Sequence, residues 1–405
     1  MPVATLDTAH SRRRSAVVVG PLRLPEPEVL SARLDTMTAA GPVARLCLDP
    51  SPASTEWDHV APAAAPRLHS VVPLPDSMTP TDLLHTVRGL DDRAVTVAAA
   101  GEWLAIDFSH GLGEIPLIHT LLDVLFGLTD ADDPATWQRY ARSRSALRRA
   151  ALRTFGVNPV RLPKLLADQG IRRKPAPAPE VGPTTGFVPA PATRSVGLSA
   201  GQLAELRARR DAALPGVSMV ALFTCALHMA FERAGLTVSD TVKIPFDVRR
   251  YLPRGTDTLA SFSAGLDFTL DRSGGPTALQ KEMTRATRTG RPVANLLVGT
   301  AKARRRHSTS EPSPTVATSA RLQLLHSNLG WAQWNGPWPF LDRRRACMLV
   351  ASDPAEPAGV TVTSVGVTEN LWFTAEFHRT VHAFDAVEAA LEMLPHIVAD
   401  LTTAE

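Results

Sequence analysis

Hydrophobic and polar positions follow two different periods along the first half of the chain, and they predict a mixture of strands and helices. The segment AVTVAAAGEWLAIDFSH (residues 94–110) contains two apolar runs broken by Ala-Gly-Glu, which is typical of a hairpin. Apolar residues then recur at helical spacing from Leu117 to Phe126, with Pro116 in a first turn and Gly127 at the stop. Residues 29–41 and 79–90 are predicted as helices and residues 44–50 (ARLCLDP) as a strand.

The second half of the chain predicts the same mixture. Helices are expected from about residue 200 to 210, over VSMVALFTCALHMAFERAG with Gly235 as its C-cap, and at the end over AFDAVEAALEMLPHIVADL. The expected strands are RSVGLSA, TVKIPFDV, SAGLDFTL, CMLVAS, GVTVTSVGV and NLWFTAEFH. The sequence therefore indicates an α+β fold in both halves.

A segment rich in proline divides the two halves. KPAPAPEVGPTTGFVPAPATRS, which begins at Lys174, is dense in Pro, Gly, Thr and Ala, a composition typical of a linker. A chain of 405 residues is also long for one ordinary core. We therefore predict an N-terminal lobe over residues 1–173, a linker over 174–194 and a C-terminal lobe over 195–405.

Composition and charge narrow the class of protein. Hydrophobic residues make up 44% of the chain and charged residues 20%, which is a globular composition. The formal charge of +3 gives no reason to expect a nucleic acid partner. Three widely spaced cysteines argue against a disulfide scaffold and against a thiolate zinc site. Without a secretory signal or a long apolar span, we expect a cytoplasmic protein with no integral membrane association.

The main candidate for chemistry is His110, which ends an apolar strand and stands in a turn with Gly111 and Gly113. Such a turn can present a ring nitrogen to a cleft while the glycines leave room for a ligand. An imidazole with a pKa near 6.5 can take a proton from an attacking hydroxyl or amine and return it to a leaving group. The alternative is a structural histidine that is buried and hydrogen-bonded.

The segment SHGLGE (residues 109–114) resembles the HHxxxDG motif of the chloramphenicol acetyltransferase-like superfamily. This superfamily includes nonribosomal peptide condensation domains and acyltransferases that esterify polyketide and lipid hydroxyls. His110 falls on the second, catalytic histidine, Ser109 on the first histidine, Glu114 on the aspartate and Ile115 on the glycine. IPFDVRRYLP (244–253) is similar to the DxR signature of the acyltransferase branch, and HSNLGW (326–331) to its Ser-Asn-x-Gly segment.

The resemblance implies two lobes that form a V with a central tunnel and place His110 at its middle. A thioester donor, acyl-CoA or a phosphopantetheinyl carrier protein, would enter from one face and an alcohol or amine acceptor from the other. No metal and no bound cofactor are required, and a tunnel within one chain implies a monomer. Glu114 would hold the loop through an ion pair, with Arg249 as one plausible partner. Further support of the site is assigned to Ser109, Gly113 and Asp247, and substrate binding to Asn328, Gly330 and Trp331.

We therefore expect an acyltransferase of bacterial secondary or lipid metabolism, with His110 as the general base. Because the motif is degenerate, two alternatives within the same fold stay open. The chain could bind a partner without catalysis, or it could use His110 in a reaction without a thioester, such as a cyclisation or a dehydration.

Several motifs have a second interpretation. GLSAG (197–201) matches the G-x-S-x-G elbow of serine hydrolases, but Ser199 and Gln202 also fit a helix capping box. Asp247 and Arg249 could be an exposed charge pair, and residues 327–330 a simple turn. Trp331, Trp334 and Trp338 suit either a ligand wall or a packed edge. The arginine clusters near residues 302–307 and 341–346 fit a solvent-exposed face. They also fit a site that binds a polyanion, either the phosphates of coenzyme A or an acidic carrier protein. Cys225 fits a core position.

Overall fold

The computed structural model describes residues 1–61, 64, 67–90, 92–141, 145–171, 183–271, 273–305, 315–332 and 336–403. Within these ranges the strands are β1 (Arg14–Gly20), β2 (Leu48–Asp49), β3 (Asp58–His59), β4 (His69–Pro73), β5 (Val95–Ala100), β6 (Trp103–Ser109), β7 (Thr184–Gly186), β8 (Pro191–Leu198), β9 (Thr241–Asp247), β10 (Ser263–Thr269), β11 (Thr315–Ala317), β12 (Gln323–Trp331), β13 (Cys347–Ser352), β14 (Gly359–Val367) and β15 (Asn370–His378).

Helices precede, separate and follow these strands, and several of them pack on the two large sheets. In chain order they are α1 (Thr5–His10), α2 (Pro27–Ala39), α3 (Pro80–Val87), α4 (Ile115–Leu125), α5 (Pro134–Ala141), α6 (Ala146–Ala151), α7 (Arg161–Ile171), α8 (Ala200–Ala213), α9 (Met219–Arg233), α10 (Gly275–Thr289), α11 (Arg291–Arg305) and α12 (Phe384–Thr403). A π-helical turn (Leu152–Gly156) continues α6, and a 3-10 turn (Arg249–Tyr251) follows β9.

The first sheet has five strands in the order β13-β1-β6-β5-β4, antiparallel except for the pair β4 and β5. Most side chains on both faces of this sheet are apolar and buried, since other elements cover each face; Asp107 of β6 is an exception and pairs with Arg14 of β1. In β1, Val17 and Val19 belong to one apolar cluster while Ala16 and Val18 belong to another on the opposite face. The sheet is therefore a buried layer, and β6 runs through its centre to the turn that contains His110.

The second sheet has six strands in the order β10-β9-β12-β14-β15-β8. β12 runs parallel to both β9 and β14, whereas the other pairs are antiparallel. Its apolar cluster includes Leu222 and Phe231 of α9 and Leu391 and Leu394 of α12. A smaller cluster around Val248 joins residues of α6 and α11 to the 3-10 turn.

This arrangement confirms the predicted α+β fold with two lobes. The hairpin of β5 and β6, the helix α4 and the six strands predicted for the second half lie where the sequence predicts them. Strands β7, β11 and β12 are not predicted from the sequence, and residues 327–330 belong to β12 and not to a simple turn. The predicted strand at residues 44–50 is reduced to Leu48–Asp49, because Arg45 has a φ of 68° and does not take part in an extended strand.

The two lobes are not consecutive along the chain. Strand β13 lies within residues 195–405, yet it pairs with β1 and forms the edge of the first sheet. Of the predicted linker, residues 174–182 lie outside the described residues. The rest contains β7, which pairs with β11, and the beginning of β8. The two halves of the sequence are therefore joined by strand pairing as well as by the linker.

Candidate active site

The turn that carries His110 lies where the two lobes meet. The amide of His110 donates to the carbonyl of Arg13 at 2.8 Å, and Ser261 from the second lobe donates its hydroxyl to the carbonyl of His110 at 3.2 Å. A Cβ atom on Gly113 would lie 2.3 Å from the carbonyl oxygen of Leu259. The glycine is therefore needed because the backbone of the second lobe touches the turn.

Ser109 stands at the position of the first motif histidine and is buried. Its hydroxyl donates to the carbonyl of Ser11 at 3.2 Å, which ties the end of β6 to the segment before β1. Ile115, at the position of the motif glycine, is the first residue of α4 and has helical backbone angles. The β-branched side chain is therefore accommodated without strain at this position.

A second histidine, His10, lies against His110. It is the last residue of α1, and the ring centroids of the two histidines are 4.8 Å apart with an interplanar angle of 64°. Within the part of the chain that the structure describes, no hydrogen-bond partner meets the buried Nδ1 atom of either ring or Nε of the nearby Arg13. The site thus holds two imidazoles and one guanidinium with unused hydrogen-bonding capacity.

Burial determines the protonation of both histidines. It lowers the pKa of His110 to about 3, with a further decrease from the positive charge of Arg13. It also lowers the pKa of His10 to about 3, where His110 and Arg13 act in the same direction and Glu114 acts against them. Both imidazoles are therefore neutral at neutral pH, so each can accept a proton, although a low pKa makes a weak base.

Glu114 and Arg249 form the ion pair that the sequence analysis suggests. Nη1 of Arg249 lies 3.0 Å from Oε2 of Glu114, and both side chains are largely buried. Ser263 donates its amide and its hydroxyl to the same carboxylate at 3.1 and 2.9 Å. Arg249 also donates to the carbonyls of Thr258 and Ala260. The pair therefore connects the start of α4 to the second lobe.

Burial acts to lower the pKa of Arg249, but Glu114 and Asp247 outweigh it and the pKa is raised. The guanidinium therefore stays charged. Asp247 is 58% exposed and accepts from Nη1 of Arg249 at 3.1 Å, so it lies at the outer end of the same network.

A second buried ion pair holds the turn from the opposite side. Nη2 of Arg45 lies 3.0 Å from Oδ2 of Asp7, and the same guanidinium donates to the carbonyls of Gly111 and Leu112. Burial raises the pKa of Asp7 and Arg45 acts to lower it. Together with Glu114 and Arg249, this pair holds both ends of the turn.

Sequence reasoning missed Asp7, His10, Arg13 and Arg45 as parts of this site. The only sequence signal near them is the basic run SRRR (residues 11–14), which leads into β1. Tertiary packing of α1 against the turn brings Asp7 and His10 there, and no motif or periodicity marks them.

The second-lobe residues predicted to bind substrate lie on β12 and form their own network. Asn328 donates to the hydroxyl of Ser364 at 2.8 Å and accepts from the amide of Gly330 at 3.1 Å. Gly330 has a φ of 71°, in an irregular part of the strand. Trp331 is 41% exposed, with Arg207 5.4 Å from its ring centroid. Among the described residues, no hydrogen bond or ring contact joins them to His110.

The other two tryptophans considered as a ligand wall are Trp338 and Trp334. Trp338 is buried in the core of the first lobe, where its indole donates to Oδ1 of Asp123 at 2.8 Å. It therefore belongs to a packed edge and not to a ligand wall. Trp334 lies outside the described residues.

The hydrolase interpretation of GLSAG receives no support from the structure. Ser199 is the N-cap of α8, and both hydrogen bonds of the capping box with Gln202 are present. The hydroxyl of Ser199 therefore caps the N-terminus of α8. Cys225 is buried in α9, and burial raises the pKa of its thiol to about 12, which is not the state of a nucleophile.

Among the described residues, no group of three or more His, Cys, Asp or Glu side chains is placed to hold a metal ion. No helix in the described ranges is long and apolar enough to cross a membrane. A cavity of about 550 Å³ opens between Leu128, α5 and Gly255, and His110 does not line it.

Comparison with known proteins identifies the fold. No model of a known protein family matches the sequence, and no curated protein matches it. Solved structures do match over nearly the whole chain. The trichothecene 15-O-acetyltransferase from Fusarium sporotrichioides has a TM-score of 0.61 at 10% identity, covering 98% of this chain and 95% of its own.

Two further matches have similar values. The epimerization domain from the third module of tyrocidine synthetase B has a TM-score of 0.58 at 12% identity, covering 98% of this chain and 93% of its own. The polyketide synthase associated protein 5 from Mycobacterium tuberculosis has a TM-score of 0.54 at 13% identity, covering 98% and 97%. The chain therefore has the chloramphenicol acetyltransferase-like fold, as the resemblance of its motifs suggests.

Proposed function

We propose that the protein is an acyltransferase that moves an acyl group from a thioester to a hydroxyl or amine. The donor would be acyl-CoA or an acyl carrier protein, the setting bacterial secondary or lipid metabolism, and the enzyme a cytoplasmic monomer. The fold supports the general activity, because solved structures with this fold include an O-acetyltransferase. The observation that carries the proposal is the position of His110, in a turn that buried ion pairs hold where the lobes meet.

In the proposed reaction, neutral His110 takes the proton of the acceptor as its oxygen or nitrogen attacks the thioester carbonyl. The new C–O or C–N bond forms, a tetrahedral oxyanion develops, and the C–S bond then breaks as His110 returns the proton to the leaving thiolate. Glu114 and Arg249 position the turn without exchanging protons. The charge of Arg13, which disfavours protonation of His110, also favours a neighbouring oxyanion.

One observation favours a second candidate function, which is binding of a ligand or partner without acyl transfer. Burial lowers the pKa of His110 to about 3, whereas the most efficient general bases have pKa values near the working pH. In this case the turn would be a structural element with little catalytic power. A reaction without a thioester that uses His110 as base is the related alternative.

The test is mass spectrometry of product formation with a panel of acyl thioesters and of alcohol and amine acceptors. The wild type is run beside His110→Ala and Ser199→Ala. We expect the His110→Ala variant to lose product formation by roughly 10²- to 10⁴-fold, because a general base contributes about that factor. Ser199→Ala should keep full activity. Consumption of no thioester by the wild type would contradict acyl transfer and favour the second candidate.

A further inference from the structure

Exposed apolar side chains of the described residues are concentrated between the end of α6 and the middle of α7. Twelve large apolar residues of the described chain are exposed, and five of them lie between residues 152 and 166. These five are 43–77% exposed: Leu152, Val157, Val160, Leu162 and Leu166. Single exposed apolar residues are ordinary on a protein surface, but such a concentration marks a contact site.

The helix α7 presents its part of this surface in a fixed orientation. Leu162 and Leu166 are four residues apart, so they are neighbours on the same face of the helix. Leu165 and Asp168 are buried on the inner side, and Asp168 is held by Arg285 of α10 at 2.8 Å. The outward leucine pair is therefore a consequence of how α7 is anchored.

The same segment is basic. Residues 145–167 contain five cationic residues and no acidic residue: Arg148, Arg149, Arg153, Arg161 and Lys164. Four of them are exposed and Arg161 is partly exposed. Among the described residues, none of the five has an ion-pair partner, so their charges face solvent. Arg153 donates to the carbonyl of Leu252, which brings the exposed Arg250 and Arg254 to the same side.

We propose that residues 145–167, which we call the basic apolar surface, dock on the surface of an anionic lipid bilayer. Exposed leucine and valine beside unpaired arginine and lysine are typical of segments that insert apolar side chains at the membrane interface while cations contact lipid phosphates. Interfaces between proteins usually have a core depleted of charge, whereas here five cations stand among the exposed apolar side chains, so charge complementarity favours an anionic bilayer as the occupant. The contact would be peripheral. This proposal goes beyond acyl transfer and does not depend on it.

The experiment is co-sedimentation of the full-length protein with vesicles of phosphatidylcholine alone and of phosphatidylcholine with phosphatidylglycerol. We expect binding to the anionic vesicles that weakens as salt is raised. The variant Arg148→Gln/Arg149→Gln should bind about 25-fold more weakly, at about fivefold for each charge. Leu162→Ser/Leu166→Ser should lose roughly tenfold or more.

Matched controls lie elsewhere on the surface. Val188 and Leu341 are 66% and 47% exposed, similar to the leucine pair, so Val188→Ser/Leu341→Ser should bind like the wild type. Arg343 and Arg344 are also exposed, and Arg343→Gln/Arg344→Gln should retain binding. Absence of vesicle binding, equal binding to neutral vesicles, or equal losses in the control variants would overturn the proposal. So would variants of the basic apolar surface that bind vesicles normally but lose transfer from an acidic carrier protein.

Discussion

At the scale of the residue, Glu114 is the most informative departure from the superfamily motif. A glutamate is one methylene longer than the aspartate of the motif, yet its carboxylate meets Arg249 at 3.0 Å and accepts two hydrogen bonds from Ser263. All of these partners belong to the second lobe. The longer side chain therefore reaches across the junction and is fully bonded there.

The substitution Glu114→Gln should be costly, because it removes the most buried of the carboxylates that face the charge of Arg249. We expect the free energy of unfolding to fall by about 3 kcal/mol, measured by urea denaturation. Asp247→Asn is the matched control, since Asp247 contacts the same arginine but is 58% exposed, and its cost should be below about 1 kcal/mol. Equal costs for the two variants would show that burial of Glu114 does not govern the strength of the pair.

The protonation of His110 gives a second prediction at this scale. Its pKa is about 3, so the neutral base form persists well below pH 6.5, and activity that depends on it should not fall between pH 8 and pH 5. Arg13→Gln removes a positive charge that opposes protonation, so it should raise the pKa of His110. The exposed neighbour Arg12 provides the control variant Arg12→Gln.

Histidine NMR over a pH series measures this change, with the spectrum of His110→Gln used to assign the signal. A pKa of His110 that is the same in the wild type and in Arg13→Gln would contradict an electrostatic effect of Arg13.

At the scale of the element, the hairpin, the turn and α4 form a unit that local sequence signals predict well. Two apolar runs, a Gly-Glu turn, a proline in the first helical turn and Gly127 as stop all act over a few residues, and the structure follows them. The prediction of a strand over residues 44–50 is wrong because of a contact with residues far along the chain. Arg45 adopts a positive φ and reaches the carbonyls of Gly111 and Leu112, a contact that no local pattern encodes.

The contact between the turn and the second lobe should be sensitive to a single methyl group. Gly113→Ala would place its Cβ 2.3 Å from the carbonyl oxygen of Leu259, so one lobe must move. We expect a loss of stability of about 2 kcal/mol and a marked loss of activity, measured by thermal unfolding and product formation. Gly201→Ala is the control, because nothing lies within 4 Å of its Cβ and alanine favours a helix. Similar behaviour of both variants would exclude the steric explanation.

At the scale of the whole molecule, the two-lobe fold could be predicted from the sequence but the path of the chain could not. The linker composition and the repeated mixture of strands and helices indicate two lobes. The position of β13 depends on pairing with β1 more than 300 residues earlier, and hydrophobic periodicity carries no information about such partners. The same limit applies to His10, which reaches His110 only through packing.

The shared strand predicts how the molecule unfolds. A fragment of residues 1–194 lacks β13 and exposes the edge of β1, so it should not fold by itself. Expression together with residues 195–405 should restore a folded complex, and the intact chain should lose both lobes in one transition. Circular dichroism and tryptophan fluorescence with the same midpoint would support this. A folded, soluble 1–194 fragment would contradict it.

The route of β13 also bears on how the protein is made. A ribosome delivers the amino terminus first, at about 5–20 residues per second, and domains commonly fold as soon as they emerge. Here β1 and β6 leave the ribosome long before residues 347–352 exist, so the first sheet waits for tens of seconds with an open edge. During synthesis this edge is open to wrong pairing, and a chaperone that covers an apolar strand would act there.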